Sequence, residues 1–413
     1  MPVLRLRLHD TLTAQSTPLV PKRPGEVRID ACGPISLDVA HLGHARAALA
    51  PDVLVRHLRA QGMTVTYVRS ITDVGDEIRK RAGEQGLPPM ELSAKMARRH
   101  QEDMGLIGCV EPDVQPKVAE HIPEVAALLE KLAARGARDV YYAVIEVVPP
   151  DEGPFARIWI HHGLVDGDEE KMATVRDVLA QNDREALRYF LLGAHYRGPI
   201  AFATEKLADG RAVFPGVVEA ERQVDYLYRA IARLMAIGLP SPGGTAPAKM
   251  PKPLVPFTRL AADARARVDT ALDDDLDTKG ALAVLDEVAK GANELADLMQ
   301  RRKQDTEVQR AAPFVAAQVL VALRLSAEPL GLLSATPEAY RERTQAQRLA
   351  ILGMRPAQID ARLAERTAAR AARDFARADA IRKEMDALGI EVTDAPEGTT
   401  WWITPIGSAP AAA

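Results

Sequence analysis

Apolar positions change period several times along the first 70 residues. Val27, Ile29 and Ala31 alternate with polar residues, which predicts a strand over 27–32 that Gly33-Pro34 ends. From Gly43 onward Ala47, Leu49, Val53, Leu54 and Leu58 recur at helical spacing, predicting a helix over 43–60. Strand patterns precede it at 4–8 and follow it at 64–69. Such alternation predicts a parallel sheet with crossover helices, and ligands of such sheets gather at the carboxyl ends of the strands.

Residues 71–135 read as mostly helical, with Leu92, Met96 and Met104 on one stripe and Val125, Leu128, Leu129 and Leu132 on a later one. A strand over 139–144 is followed by a Pro-rich acidic loop, Pro149-Pro150-Asp151-Glu152-Gly153-Pro154. Helical spacing then runs over 183–236 with interruptions at Gly198-Pro199 and Asp209-Gly210, and a Pro-rich linker covers 239–256. An amphipathic helical stretch spans 257–333, a charged helical pair 335–388, and two short strands 390–394 and 399–404. The aspartates between Asp273 and Asp277 read as helix-start residues, favoured there by the helix dipole.

Taken together, the pattern predicts an α/β unit at 1–205, connecting helices and linker at 206–256, and a helical bundle at 257–334. A small C-terminal domain at 335–406 and a disordered tail at 407–413 complete it.

At 413 residues the chain has room for about two or three domains with cores of their own. Its net charge of -4 excludes a uniformly basic coat, so any nucleic-acid contact must come from a local patch. Such a patch is present: Arg362, Arg366, Arg370, Arg373, Arg377, Arg382 and Lys383 face only Glu365, Asp374 and Asp379 over the same span. Two cysteines, Cys32 and Cys109, argue against a disulfide framework and for a reducing compartment. No apolar run approaches the roughly 20 residues that cross a bilayer, and the expected location is cytoplasmic, without a membrane partner.

The candidate chemistry lies in Cys32-Gly33-Pro34-Ile35-Ser36-Leu37-Asp38-Val39-Ala40-His41-Leu42-Gly43-His44-Ala45-Arg46. His41 and His44 fall at a helix start, where free backbone N–H groups and the positive dipole end attract phosphate, and Gly43 permits close approach. The spacing leaves two readings open, a nucleotide site at Gly33, His41, Gly43 and His44, and an incidental pair of histidines at an ordinary helix start.

Cys-Gly-Pro-x-x-x-Asp followed by His-x-Gly-His-Ala-Arg resembles the signature of the cysteinyl-tRNA synthetases, class I aminoacyl-tRNA synthetases. The resemblance continues at Leu8-His9-Asp10-Thr11-Leu12-Thr13, Tyr67-Val68-Arg69-Ser70-Ile71-Thr72-Asp73-Val74, Ala186-Leu187-Arg188-Tyr189-Phe190-Leu191-Leu192 and Gly398-Thr399-Thr400-Trp401. It implies α/β plus all-α architecture: a Rossmann-like catalytic domain, here truncated in its second half, a helical bundle and an anticodon-binding end. It also implies ATP-dependent activation of cysteine and its ligation to tRNA. His41 and His44 would hold the ATP phosphates, and Lys171 would match the first lysine of the family's Lys-Met-Ser-Lys-Ser motif. The second lysine has no counterpart in Lys171-Met172-Ala173-Thr174.

The family holds zinc with two Cys, a His and a Glu. Cys32 matches the first ligand, the others fall in an absent segment, and zinc is expected to be missing or weakly bound. Arg370, Arg373, Arg377 and Trp401 would contact tRNA. The resemblance leaves open a synthetase of impaired activity, a non-catalytic relative that binds tRNA or a partner protein, and a ligase for a small amine acceptor.

Overall fold

A computed structural model describes residues 4–123, 127, 143–147, 156–166, 172–207, 210–240, 245–395 and 398–407. The expected helical stripe after Val125, the start of the strand at 139–144, the Pro-rich loop, Lys171 and most of the tail lie outside the described residues.

The chain opens with a hairpin of β1 (Arg7–Asp10) and β2 (Gln15–Pro18), then β3 (Glu26–Ala31), α1 (Leu42–Ala60) and β4 (Thr64–Arg69). β3 and β4 pair in parallel, from Glu26 opposite Thr64 to Ala31 opposite Arg69, with α1 as the crossover. The helices α2 (Asp76–Gln85) and α3 (Pro89–Leu106) follow. Residues 109–117 beyond them are not helical: Val114 and Lys117 bridge to Val68 and Ile71, so this stretch runs alongside the end of β4 before a 3-10 turn at Val118–Glu120.

The sheet departs from the expected all-parallel form. Its order is β4-β3-β5-β6, where β5 (Ala143–Val147) runs antiparallel to β3 and β6 (Ala156–Ile160) antiparallel to β5. Eight residues separate β5 from β6. A parallel return needs a crossover of about a dozen or more, so a connection this short permits only a hairpin. Asp10 ties the first hairpin to this edge, its carboxylate accepting from the Trp159 amide at 3.0 Å.

Next come β7 (Val165–Asp166), α4 (Val175–Gln181), α5 (Arg184–Leu192) and β8 (Ile200–Ala201), the last parallel to β7. Four long helices follow: α6 (Pro215–Ile237), α7 (Val255–Asp273), α8 (Thr278–Arg301) and α9 (Thr306–Ala327). Leu8, Ile29, Leu54, Leu58 and Tyr67 of the α/β unit share one apolar core with Ile231, Leu285, Val315 and Val319 of these helices. α9 is apolar and long enough to cross a bilayer by length and composition, yet half of that stretch is buried inside the protein.

The aspartate run forms the α7–α8 turn. Asp277 caps α8 by accepting from the Gly280 amide, as the dipole argument requires. Asp275 adopts φ 53° and gathers the His9 amide, the Tyr196 hydroxyl and Arg197 onto its carboxylate. The C-terminal part holds three helices where a pair was expected: α10 (Pro337–Leu352), α11 (Pro356–Ala371) and α12 (Phe375–Ala387). A hairpin of β9 (Ile390–Ala395) and β10 (Gly398–Ile403) closes them over Leu349, Ile359, Leu363, Met385, Ile390 and Ile403.

Candidate functional site

His41 is the N-cap of α1, and its Nδ1 accepts from the Gly43 amide at 3.0 Å. In return His44 Nδ1 accepts from the His41 amide at 3.2 Å. The Leu42 amide donates to the Ala173 carbonyl at 3.3 Å, and the His44 and Ala45 amides donate to the His41 carbonyl at 3.0 and 3.2 Å. All four amides that a helix start leaves open therefore have acceptors within the chain. This corrects the expectation of free N–H groups for phosphate: the two histidines close the helix start themselves.

With both Nδ1 atoms accepting, the hydrogen-bond pattern assigns the imidazole protons to Nε2. Burial, reinforced by the neighbouring His41 ring 3.9 Å away, lowers the His44 pKa to about 4. At neutral pH His44 is thus an uncharged Nε2–H donor. Gly43 lies under the His41 ring, where an added Cβ would come within 2.8 Å of Cε1. Gly33 serves a different contact from the one expected, since a Cβ there would stand 1.6 Å from the Ser70 carbonyl oxygen. It lets the ends of β3 and β4 close on each other, and Ser70 Oγ accepts the Gly33 amide at 3.2 Å.

A third imidazole, which no motif pointed to, joins the pair. His100 of α3 meets His44 edge-on with ring centroids 5.9 Å apart. Burial, with Arg69 beside it, lowers its pKa to about 3. A signal was present: His100 falls four residues after Met96 and four before Met104, on the apolar stripe of α3, so it had to point inward.

These two lowered pKa values predict acid sensitivity. Between about pH 6.5 and pH 4 the unfolded chain binds protons on His44 and His100 that the folded chain does not, so stability is present at neutral pH and is lost on acidification. Urea unfolding at pH 5.5 should give a free energy about 2–3 kcal/mol below that at pH 7.5. His100→Phe should roughly halve that difference. An unchanged difference in the variant would count against the buried neutral pair.

The segment after Lys171 lies directly on this helix start. Thr174 forms a bridge with His41, and the Val175 amide donates to the Ala40 carbonyl at 3.0 Å. Arg176 fixes α4 to α3 through Asp103 at 2.6 Å and Glu102 at 2.9 Å. Thr174 caps α4 in a reciprocal arrangement with Asp177.

Cys32 sits exposed just beyond the carboxyl end of β3. The other cysteine, Cys109, is half-buried, and desolvation pushes its thiol up to about 12, away from the thiolate that zinc requires. Among the described residues no three His, Cys, Asp or Glu side chains converge as metal ligands. The donors that the described residues bring together are not the two Cys, His and Glu of the family's zinc site, and no chemical step is assigned to a metal.

At the C-terminal end the arginines are largely engaged with acids of their own domain. Arg366 and Arg370 both meet Asp394 at 2.8 Å, and together they hold its carboxyl below the ordinary range. Arg362 and Arg377 share Glu365. Arg373 stands at the α11–α12 turn with φ 59°. Trp401 packs partly into the small core and donates from Nε1 to Asp360 at 2.9 Å.

Comparison with known proteins agrees with this geometry. Residues 18–147 and 142–212 match the class I (C) tRNA synthetase catalytic domain, 267–334 the DALR domain, and 355–401 the cysteinyl-tRNA ligase anticodon binding domain. The chain is 34% identical to the cysteine--tRNA ligase of Anaeromyxobacter sp. (strain K), covering 96% of this chain and 99% of the relative. Against the cysteine--tRNA ligase of Halorhodospira halophila the identity is 32% with the same coverage. The first alignment extends over 513 positions against 413 residues, so at least 100 positions have no counterpart here. The catalytic-domain model matches in two segments that overlap at 142–147, at β5. Methionyl-tRNA synthetase of Mycobacterium tuberculosis shares the fold at a TM-score of 0.55 and 13% identity, over 81% of this chain and 95% of that one.

Proposed function

Because the chain belongs to the cysteinyl-tRNA synthetase family, we propose that it is a tRNA-binding member in which ATP-dependent activation of cysteine is slowed or lost. The observation that carries this reading is the contact between the histidine helix and the segment after Lys171. Where relatives have a long insertion and a second lysine, this chain lays Ala173 and Thr174 straight onto Leu42 and His41. His44 retains an Nε2–H donor for ATP phosphates, but it is neutral and the helix-start amides beside it are already taken. Lys171 would supply one cation to the leaving pyrophosphate.

The RNA-binding half of the proposal rests on parts that the gap leaves alone. With Arg370 and Arg377 shared with Asp394 and Glu365, Arg373 is the arginine of the predicted set best placed to reach a phosphate first. Trp401, tied to Asp360, would present a face for stacking. Binding of unmodified tRNA by the full chain should weaken steeply with salt, and Arg373→Ala should reduce the slope by about one. Trp401→Phe, which keeps the ring face, should change affinity little. Absence of salt-dependent tRNA binding at low salt would refute the RNA-binding reading.

A further inference from the structure

Away from the histidine pair, a cavity of about 430 Å³ opens where the α/β unit meets the long helices. Arg56 of α1, Arg184 and Glu185 at the start of α5, Arg324 and Glu328 near the end of α9, and Ser334 line it. The volume lies within the roughly 300–1,000 Å³ typical of small-ligand sites.

Most of the negative charge here is already committed. Glu185 accepts from the Tyr228 hydroxyl at 2.8 Å, the Leu333 amide at 2.7 Å and Ser334 Oγ at 3.2 Å. Asp52 beneath the floor is shared between Arg56 and the fully buried Arg188. Glu328 points toward Arg265 at 3.8 Å.

The guanidiniums are less fully used. Arg56 spends Nε on Asp52 and Nη2 on the Gly108 carbonyl, and Arg324 spends Nη1 on the carbonyls of Leu333 and Ala335. Among the described residues, Arg56 Nη1 and Arg324 Nε and Nη2 have no hydrogen-bond acceptor, and Arg184 has neither hydrogen bond nor ion pair. Guanidinium forks converging on one half-open cavity match an oxyanion with several acceptor oxygens, above all a phosphate group.

We propose that this seam cavity is a phosphate-binding site, distinct from the helix start at His41 and His44. The phosphate can arrive on a mononucleotide or as a phosphodiester of an RNA backbone. Either would bridge the α/β unit and the long helices through Arg56, Arg184 and Arg324, so occupancy should also raise the thermal midpoint of the full chain.

Arg184→Glu is the informative change, because this exposed side chain carries no described contact and its replacement should leave the unliganded thermal midpoint unchanged. The full chain is titrated with AMP by calorimetry and, separately, with tRNA, in parallel with Arg184→Glu, Arg324→Lys and, as a control for the other site, His44→Ala. Loss of about tenfold in AMP affinity in Arg184→Glu, with tRNA unaffected, assigns the cavity to a nucleotide. The same loss for tRNA, with the salt slope lower by about one, assigns it to the RNA backbone. Arg324→Lys, which keeps the charge but loses the fork, should weaken the same probe less. If Arg184→Glu changes neither probe, or AMP binding falls only in His44→Ala, the proposal is overturned. Should the unmodified chain bind no tRNA at all, the RNA-binding function fails while the AMP titration still decides the cavity.

Discussion

Arg348→Ala should lower the free energy of unfolding by about 3–5 kcal/mol and loosen the C-terminal helices from α6. Arg348 is 1% exposed and forks onto two carboxylates, Glu221 at 2.6 Å and Asp225 at 3.0 Å, while also donating to the Ile403 carbonyl at 2.7 Å. Its guanidinium lies 5.7 Å from the Trp402 ring, which Arg229 and Arg341 also approach at 4.9 and 5.7 Å. Truncation would leave Glu221 and Asp225 facing each other in a site whose burial already pushes the Glu221 carboxyl upward. The cost comes from the uncompensated charges more than from the lost attraction. Arg348→Lys should recover only part of it, since an ammonium cannot span both carboxylates and the carbonyl in one plane. Urea unfolding measures the loss, and limited proteolysis should cut between α9 and α10 in the variant first. A loss under about 1 kcal/mol would mean that the contact is dispensable.

Periodicity carried the local structure well, because local structure depends on neighbours in sequence. The strand at 26–31, the helix from Leu42 and the strand at 64–69 stand where alternation and helical spacing put them. What failed depended on distant residues. Pairing direction in the sheet follows from the short β5–β6 connection, not from the strands' own composition. The charge count over 362–383 could not include Asp394, which neutralises Arg366 and Arg370 from 28 and 24 residues further on. The helix start read as an anion site because nothing in His41-Leu42-Gly43-His44 announces that the His41 ring takes the Gly43 amide and the His44 ring the His41 amide, or that Ala173 would return to take the Leu42 amide. The arginines of the seam cavity carry no motif at all. Only the fold brings Arg56, Arg184 and Arg324 together.

Cysteine-dependent ATP–pyrophosphate exchange should run about 10²–10³-fold below that of a relative possessing both lysines, and added zinc should not restore it. A charged donor to the leaving pyrophosphate is worth about 2.7–4 kcal/mol of transition-state stabilisation, and this chain has Ala173 and Thr174 after Met172 where the Lys-Met-Ser-Lys-Ser motif it resembles has serine and lysine. His44 does not compensate, because it is neutral above about pH 4 and its Nδ1 is spent on the His41 amide. Selection of cysteine fares no better. A thiolate substrate needs a metal held by other ligands, and beside Cys32 the second cysteine is a half-buried thiol raised to about 12. Exchange is measured at high protein concentration with and without zinc, alongside Cys32→Ala. A rate within about threefold of the relative's, or a zinc-stimulated rise that Cys32→Ala removes, would show that the chain rebuilds its site in a way that the helix-start geometry does not display. The expected outcome is a slow rate indifferent to both zinc and Cys32. His44→Ala would lower it further, because the Nε2–H of that ring is the donor to the phosphates that this helix start still offers.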